Sequence, residues 1–308
     1  MAAAASGGAG GGRGPGGSEA LPVAASFDGG GGERVEVIMV TTPAAAAAAA
    51  VRLADDGARG ALAVDLEGVA LGRPGGTISI VQVVAAVRPA TVYLFDVTVL
   101  GERAFGPAGA PAPTLRTLLQ EPAVTKLLWD CRADAHALFR LYDIRMAGVV
   151  DLQVSELLHR VARRDPPTQV SSLAWLIERT SLLPLPAAQR RVLAELKRRA
   201  GGLFLPRLGG SYAVWDKRPL NPVLMEYATD ARLFFLLRSV FAASRVEEEP
   251  ALRDLLARCV TTRLDAAHSM SFVVDDHAAA VRVDAAVTAF LASAAYTSGG
   301  GGGAGRRW

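Results

Sequence analysis

The stretch V-D-L-E-G-V-A-L-G-R-P-G-G-T-I-S-I-V-Q-V at residues 64–83 decides the reading of this chain. Side chains alternate faces along a strand, so Asp65 and Glu67 project to one side while Val64 and Leu66 project to the other. The Gly-rich segment that follows reads as a hairpin leading into a second strand that contains Gln82. Two carboxylates a few ångströms apart raise each other's pKa, and an oxygen-rich cluster of this kind suits Mg²⁺ or Mn²⁺. A bare D-x-E pair equally describes a solvated strand end, so its neighbours in the chain have to choose.

Around this hairpin the apolar runs V-E-V-I-M-V (35–40), A-L-A-V-D-L-E (61–67), I-S-I-V-Q-V-V (78–84) and V-Y-L-F-D-V (92–97) are short and β-branched, and read as strands. Pro43 and the Ala-rich residues to about Leu53 predict a helix between the first two, with Thr41 or Thr42 as its cap. Residues 114–120 form a helix closed by Pro122, 124–129 a fifth strand, and 133–142 an amphipathic helix; V-V-D-L-Q (149–153) starts the next element. From Ser171 onward the patterns are helical, at 171–180, 187–200, 220–244 and 250–266. The predicted fold class is α/β: a mixed sheet flanked by helices, with a helical C-terminal extension.

The chain has 308 residues, half of them apolar, enough for a sizeable core. With 33 basic and 30 acidic residues the charge is nearly balanced, so affinity for a polyanion has to come from local patches. Cys131 and Cys259 lie far apart and suggest neither a disulfide framework nor a thiolate zinc site. His136, His159, His268 and His277 show no zinc-hydrolase spacing, and the Gly-rich stretches 72–76 and 202–210 lack the G-K-[ST] ending of a nucleotide-binding loop. The alanine run at 44–50 is too short to span a bilayer. Residues 1–33 hold one arginine against Glu19, Asp28 and Glu33 and make a poor targeting segment. An intracellular protein without a membrane segment is expected, nuclear or cytoplasmic. Gly and Ala dominate residues 1–33 and the C-terminal tail, and both ends are expected to be disordered.

The acidic hairpin, together with Y-L-F-D (93–96) and K-L-L-W-D-C-R-A-D-A-H-A-L (126–138), resembles the DEDD 3′-5′ exonucleases, specifically ribonuclease D and the plant exonuclease-domain proteins similar to it. The family's second metal-binding aspartate maps to Asp134. Asp130, the competing candidate, sits where a strand becomes a helix and is assigned to capping. V-V-D-L-Q resembles the family's D-T-Q segment, which makes Asp151 and Gln153 supporting groups. The third motif is Tyr-x-x-x-Asp, and W-D-K-R-P-L-N-P-V-L-M-E-Y-A-T-D-A-R-L-F-F-L-L (215–237) resembles its surroundings. Here Tyr227 stands three residues before Asp230 instead of four, a turn of about 100° on a helix. Either the helix begins differently, or the water-positioning tyrosine has been lost.

The resemblance spans roughly residues 35–242 and implies a ribonuclease H-like fold and two Mg²⁺ or Mn²⁺ ions held by Asp65, Glu67, Asp134 and Asp230. It further implies Tyr227 as the catalytic tyrosine and single-stranded DNA or RNA as substrate, released as nucleoside 5′-monophosphates. Lys126 and Arg132 are expected to grip nucleic acid. Arg163, Arg164, Arg190, Arg191, Lys197, Arg198 and Arg199 either assist or form solvated helix faces. His136 is expected to face away from Asp134. The expected boundaries are a disordered segment 1–33, the exonuclease domain 34–245, a helical extension 246–296 and a disordered tail 297–308. Two other readings stay open: a nucleic-acid-binding scaffold that keeps the fold without turnover, and an interaction module whose acidic strand is merely exposed.

Overall fold

A computed structural model describes residues 21–28, 34–165, 167–179, 182–243, 245–274 and 283–293. The β-branched runs become β1 (Ala25–Asp28), β2 (Arg34–Val40), β3 (Leu62–Glu67), β4 (Ile80–Ala85), β5 (Thr91–Asp96), β6 (Lys126–Leu128) and β7 (Val149–Asp151). They form one mixed sheet in the order β1-β2-β5-β4-β3-β6-β7. The pairs β3–β4, β4–β5 and β1–β2 are antiparallel, whereas β2–β5, β3–β6 and β6–β7 are parallel. The acidic strand β3 is therefore interior, with helices on both of its faces.

Ten helices of six residues or more accompany the sheet among the described residues: α1 (Pro43–Arg59), α2 (Leu115–Gln120), α3 (Cys131–Tyr142), α4 (Leu152–Ala162), α5 (Leu173–Arg179), α6 (Ala187–Phe204), α7 (Pro222–Tyr227), α8 (Leu233–Ala242), α9 (Pro250–Ala267) and α10 (Ala285–Leu291). The Thr42 hydroxyl accepts from the Ala45 N–H at 3.2 Å and Pro43 opens α1, so the expected cap is the observed one. Val64 and Leu66 join the core under α1 to α3, while Ala63, Ile80, Val84 and Leu94 join the core under α5 to α8. By alternation Asp65 and Glu67 belong to that second face. A third cluster, which includes Leu157, Leu255, Cys259 and Val287, packs α4 against α9 and α10.

Two expectations change. Residues 25–28, placed within a disordered N-terminal segment, form β1 on the open edge of β2, with Ala25 and Phe27 packed on the second core. The edge strand supplies unpaired backbone groups that a short A-S-F-D run can satisfy, a tertiary contribution that local Gly content hides. Residues 1–20, 29–33 and 294–308 lie outside the described residues, as does His277. The helix expected over 220–244 is broken: α7 stops at Tyr227, Ala228 and Thr229 leave helical geometry, and a single 3₁₀ turn at Asp230–Arg232 leads into α8. The Thr229 hydroxyl donates to the Glu226 carbonyl at 2.7 Å across the break. Among the described residues no helix is long and apolar enough to cross a membrane.

Candidate active site

The register of the β3–β4 hairpin sets Asp65 directly opposite Gln82. Gln82 is fully buried, and its amide N–H₂ donates to Asp65 Oδ2 at 2.8 Å and to Asp230 Oδ1 at 3.1 Å. Its carbonyl accepts from the Ala231 N–H at 3.2 Å, which fixes the amide's orientation. One side chain thus ties the first acidic strand to the turn after α7. Asp134, in the first turn of α3, is 5% exposed. Its carboxyl is held well above the usual carboxylate range by burial, then by Asp65, Asp130 and Asp151. Glu67 is likewise pushed up by burial and by Asp65, Asp230 and Asp134. Each of the four acidic residues the sequence singled out therefore feels at least one of the others.

These groups line or adjoin a cleft of about 420 Å³ whose walls include Asp65, Glu67, Trp129, Phe204, Tyr227 and Asp230. The volume is in the range of small-molecule sites. Burial and the Asp230 charge raise Asp65 to about 8, against the pull of Lys197 and of the Gln82 hydrogen bond. Lys197 comes from α6, and its Nζ sits 2.6 Å from Asp230 Oδ2 and 4.6 Å from the centre of the Tyr227 ring. Burial would lower the Lys197 pKa, but Asp230, Tyr227 and Asp65 outweigh it and keep the ammonium charged. Tyr227 packs on Phe204 and Trp215, with ring centres 5.5 and 6.1 Å away. Burial raises its phenol far above the ordinary value, Lys197 opposing and Glu67, Asp230 and Asp65 adding to the rise. Because the helix breaks between Tyr227 and Asp230, the three-residue spacing still leaves both on the wall of one cleft.

All four candidate ligands are carboxylates, the donor type a hard divalent cation takes. The side chains of Glu67 and Asp134 make no hydrogen bond or close ion pair among the described residues, which leaves their oxygens open to a metal. The groups are spread rather than drawn to a point: among the described residues no three acidic, imidazole or thiol groups stand close enough to hold one ion.

Residues 37–242, two thirds of the chain, match the family model described as 3′-5′ exonuclease. The chain belongs to the 3′-5′ exonuclease family. It is 28% identical over 142 residues to the mouse piRNA biogenesis protein EXD1, an alignment covering 44% of this chain and 21% of the mouse protein. The structure of Trypanosoma brucei RNase D in complex with GMP superposes with a TM-score of 0.59 at 22% identity, over 83% of this chain and 71% of that one. The same enzyme in complex with RNA U12 gives 0.55 at 23% identity, over 82% and 78%. At such identities the likeness establishes a shared fold.

In this exonuclease domain the second acidic motif is built from behind. Asp130 has φ 60° and ψ 75°, a left-handed conformation uncommon outside glycine, and its side chain makes no capping bond. The capping assignment moves to Asp151: one of its oxygens accepts from the Asp130 and Gln153 N–H groups, the other from the Cys131 N–H, at 3.0–3.1 Å. Asp130 instead takes the Arg132 fork at 2.6 and 2.7 Å. Arg132 is thus committed within the protein, with its side chain 16% exposed. Lys126 is a plain correction: it is fully buried in β6, and its ammonium donates to the carbonyls of Leu118 and Glu121 at 3.1 and 2.6 Å. It anchors α2 to the sheet and does not reach nucleic acid. His136 faces away from the cleft as expected, with its Nδ1 2.8 Å from the Ala267 carbonyl.

Sequence reasoning groups Lys197 with cations that either grip nucleic acid or form solvated helix faces and misses its pairing with Asp230. Its signal lay in helical periodicity: positions 193, 196, 197, 200, 201 and 204 share one stripe of α6, and Ala200, Gly201 and Phe204 are buried. A lysine inside an apolar stripe needs an anionic partner.

Proposed function

We propose that the chain is a metal-dependent 3′-5′ exonuclease that hydrolyses the terminal phosphodiester of single-stranded DNA or RNA and releases nucleoside 5′-monophosphates. The observation that carries this reading is that Asp65, Glu67 and Asp230, from distant parts of the chain, line one cleft, and that Asp134 acts electrostatically on Glu67 and Asp65. Asp65, Glu67, Asp134 and Asp230 are the carboxylates that would hold the metal, which when bound would supply an activated water and charge stabilisation for the departing 3′ oxygen. Gln82 orients Asp65 and Asp230. Tyr227 keeps its proton across the working pH range and positions water by hydrogen bonding instead of acting as a base. Trp129 and Phe204 offer apolar walls to the terminal base, and Arg198 and Arg207 lie along the same cleft, where a phosphate backbone would pass.

The test is a 5′-labelled single strand incubated with Mg²⁺ or Mn²⁺. Stepwise shortening that vanishes in Asp65→Ala supports the enzyme. Binding without shortening, in the presence of either metal, favours the second reading, a nucleic-acid-binding protein that keeps the fold. The Lys197–Asp230 pair is the feature that favours this alternative, because it commits one of the four carboxylates to an internal cation.

A further inference from the structure

We propose that Trp175 is a stacking platform for one base of the single strand, placed beside the cleft and upstream of the 3′-terminal nucleotide. The inference rests on the reading above that the cleft receives a single-stranded nucleic acid, and it is independent of any metal ion.

Trp175 is 45% exposed, whereas Trp215 is fully buried and Trp129 nearly so. It stands on α5, and three other residues of that helix, Leu173, Ala174 and Glu178, line the cleft. At about 100° per residue Trp175 projects about 60° beyond Glu178, on the side away from Leu176 and Ile177. The helix is pinned against rolling. Leu176 and Ile177 are fully buried in the second core, the Trp175 N–H donates to Ser172 Oγ at 3.1 Å, and Gln153 Nε2 donates to the Ser171 carbonyl at 3.1 Å. Nearly half of a large rigid ring is therefore held in solvent beside the cleft, an apolar face that a stacked base would cover.

The elements around the cleft differ in charge, and the difference sets which side of the strand meets Trp175. α5 offers the cleft Leu173, Ala174 and the carboxylate of Glu178, whereas α6 and the turn after it offer Arg198 and Arg207, with the exposed Leu208 beside them. Arg198 is shared with Glu195 in an exposed pair at 2.5 Å, which a phosphate can replace at little cost. Phosphates are drawn to the arginines and repelled by Glu178, so the bases are turned toward α5. Trp129 and Phe204 take the terminal base within the cleft, and a base farther back, lying past Glu178, meets the indole face. Every base has a π-face, so the platform adds affinity without a sequence preference.

The test is fluorescence anisotropy of a short 5′-labelled single strand on the full chain in EDTA, which keeps the strand intact. Trp175→Ala is expected to weaken binding about 5- to 150-fold, the range of one base–aromatic stack. Trp175→Leu, apolar but without a ring, is expected to lose as much, and Trp175→Phe to retain most of the affinity; circular dichroism checks that each variant folds. Strands with one abasic site moved back stepwise from the 3′ end identify the base. At one upstream position the abasic site is expected to weaken the wild type by the same factor and to add nothing in Trp175→Ala. Undiminished binding by Trp175→Ala or Trp175→Leu overturns the proposal and leaves the nucleic-acid reading intact, as do abasic penalties that are equal in wild type and Trp175→Ala at every position. If Trp175→Ala does not fold, Trp175→Leu carries both comparisons. A wild type that does not bind the strand overturns both readings. Strand shortening with Mg²⁺ or Mn²⁺ is scored separately: a chain that binds through Trp175 and shortens nothing keeps this proposal and loses the enzyme.

Discussion

Gln82 makes three hydrogen bonds with a single amide, and each has a different consequence. Two hold carboxylates that would otherwise drift apart, and the third satisfies the Ala231 N–H at the start of the turn that carries Asp230. Gln82→Leu keeps the volume and loses all three, so it is expected to cost about 1–3 kcal/mol of stability, because a buried donor is left unpaired. It is also expected to lower strand shortening about 10–100-fold, as outer-shell changes at metal sites do. Urea unfolding and the labelled-strand assay measure the two effects, and full activity in Gln82→Leu would reduce the residue to core filling. The acidic groups also set a pH dependence. Asp65 titrates near 8 in the metal-free fold, and Glu67 and Asp134 are raised in the same direction. For these groups the folded state binds more protons than the unfolded one between about pH 4 and 8, so their contribution to stability is complete below that window and is lost as pH rises through it. The melting temperature of metal-free protein is expected to fall from pH 5 to pH 8, and Mn²⁺ is expected to restore most of the loss at pH 8. A flat or rising melting curve would show that the carboxylates are not mutually buried. Asp151 works in the opposite sense: Arg263 and backbone N–H groups overcome burial and depress it, so its contribution is lost toward acid pH.

At the scale of elements, much of what the sequence expressed by periodicity is present in the fold, and what depended on long-range partners was hidden. The strands around Asp65 and Gln82 were legible because β-branched runs with period two leave little choice, and the hairpin register followed from them. The break after Tyr227 was not, because the apolar pattern from Leu224 through Leu237 continues at helical spacing across it. What decides the break lies elsewhere in the chain: Gln82 holds the Ala231 N–H, and Arg218 grips Asp96 at the end of β5 with two bonds at 2.5 and 2.6 Å, tethering the lead-in to α7. This inverts a natural engineering idea. Inserting an alanine between Thr229 and Asp230 would restore the four-residue spacing of the family motif, yet here it would displace Asp230 from Gln82 and Lys197. Loss of strand shortening by at least about tenfold is expected from the insertion; a gain would mean that the tyrosine, and not the aspartate, is the misplaced partner. Lys126 makes the related point that a basic residue in a motif need not face solvent, since a three-residue strand between two others buries it.

On the scale of the whole molecule, Arg263 joins the two acidic sides of the second motif to the C-terminal helices. Its guanidinium, 2% exposed, donates to Asp151 at 2.8 Å, to Gln153 at 2.9 Å and to Asp284 at 2.8 and 3.1 Å. Asp151 in turn presents the start of α3, and thereby Asp134. Ala267, at the end of α9, lies within the main core, and His136 reaches the carbonyl of the same residue. Residues after 245 thus share a hydrophobic core and a buried ion network with the family-matching region, a dependence invisible in sequence because α9 carries no motif of its own. Arg263→Ala leaves Asp151 as an uncompensated buried charge, and a loss of about 3–5 kcal/mol is expected. Deletion of residues 246–308 removes the arginine and also uncovers Leu157, Leu158 and Val154 on α4. The full chain is expected to unfold in urea as one cooperative transition, whereas the deletion should aggregate or unfold without a sharp midpoint. A truncated chain with an unchanged midpoint, still able to bind Mn²⁺, would instead make the extension a separable appendage and leave Asp151 to be held by its backbone N–H bonds alone.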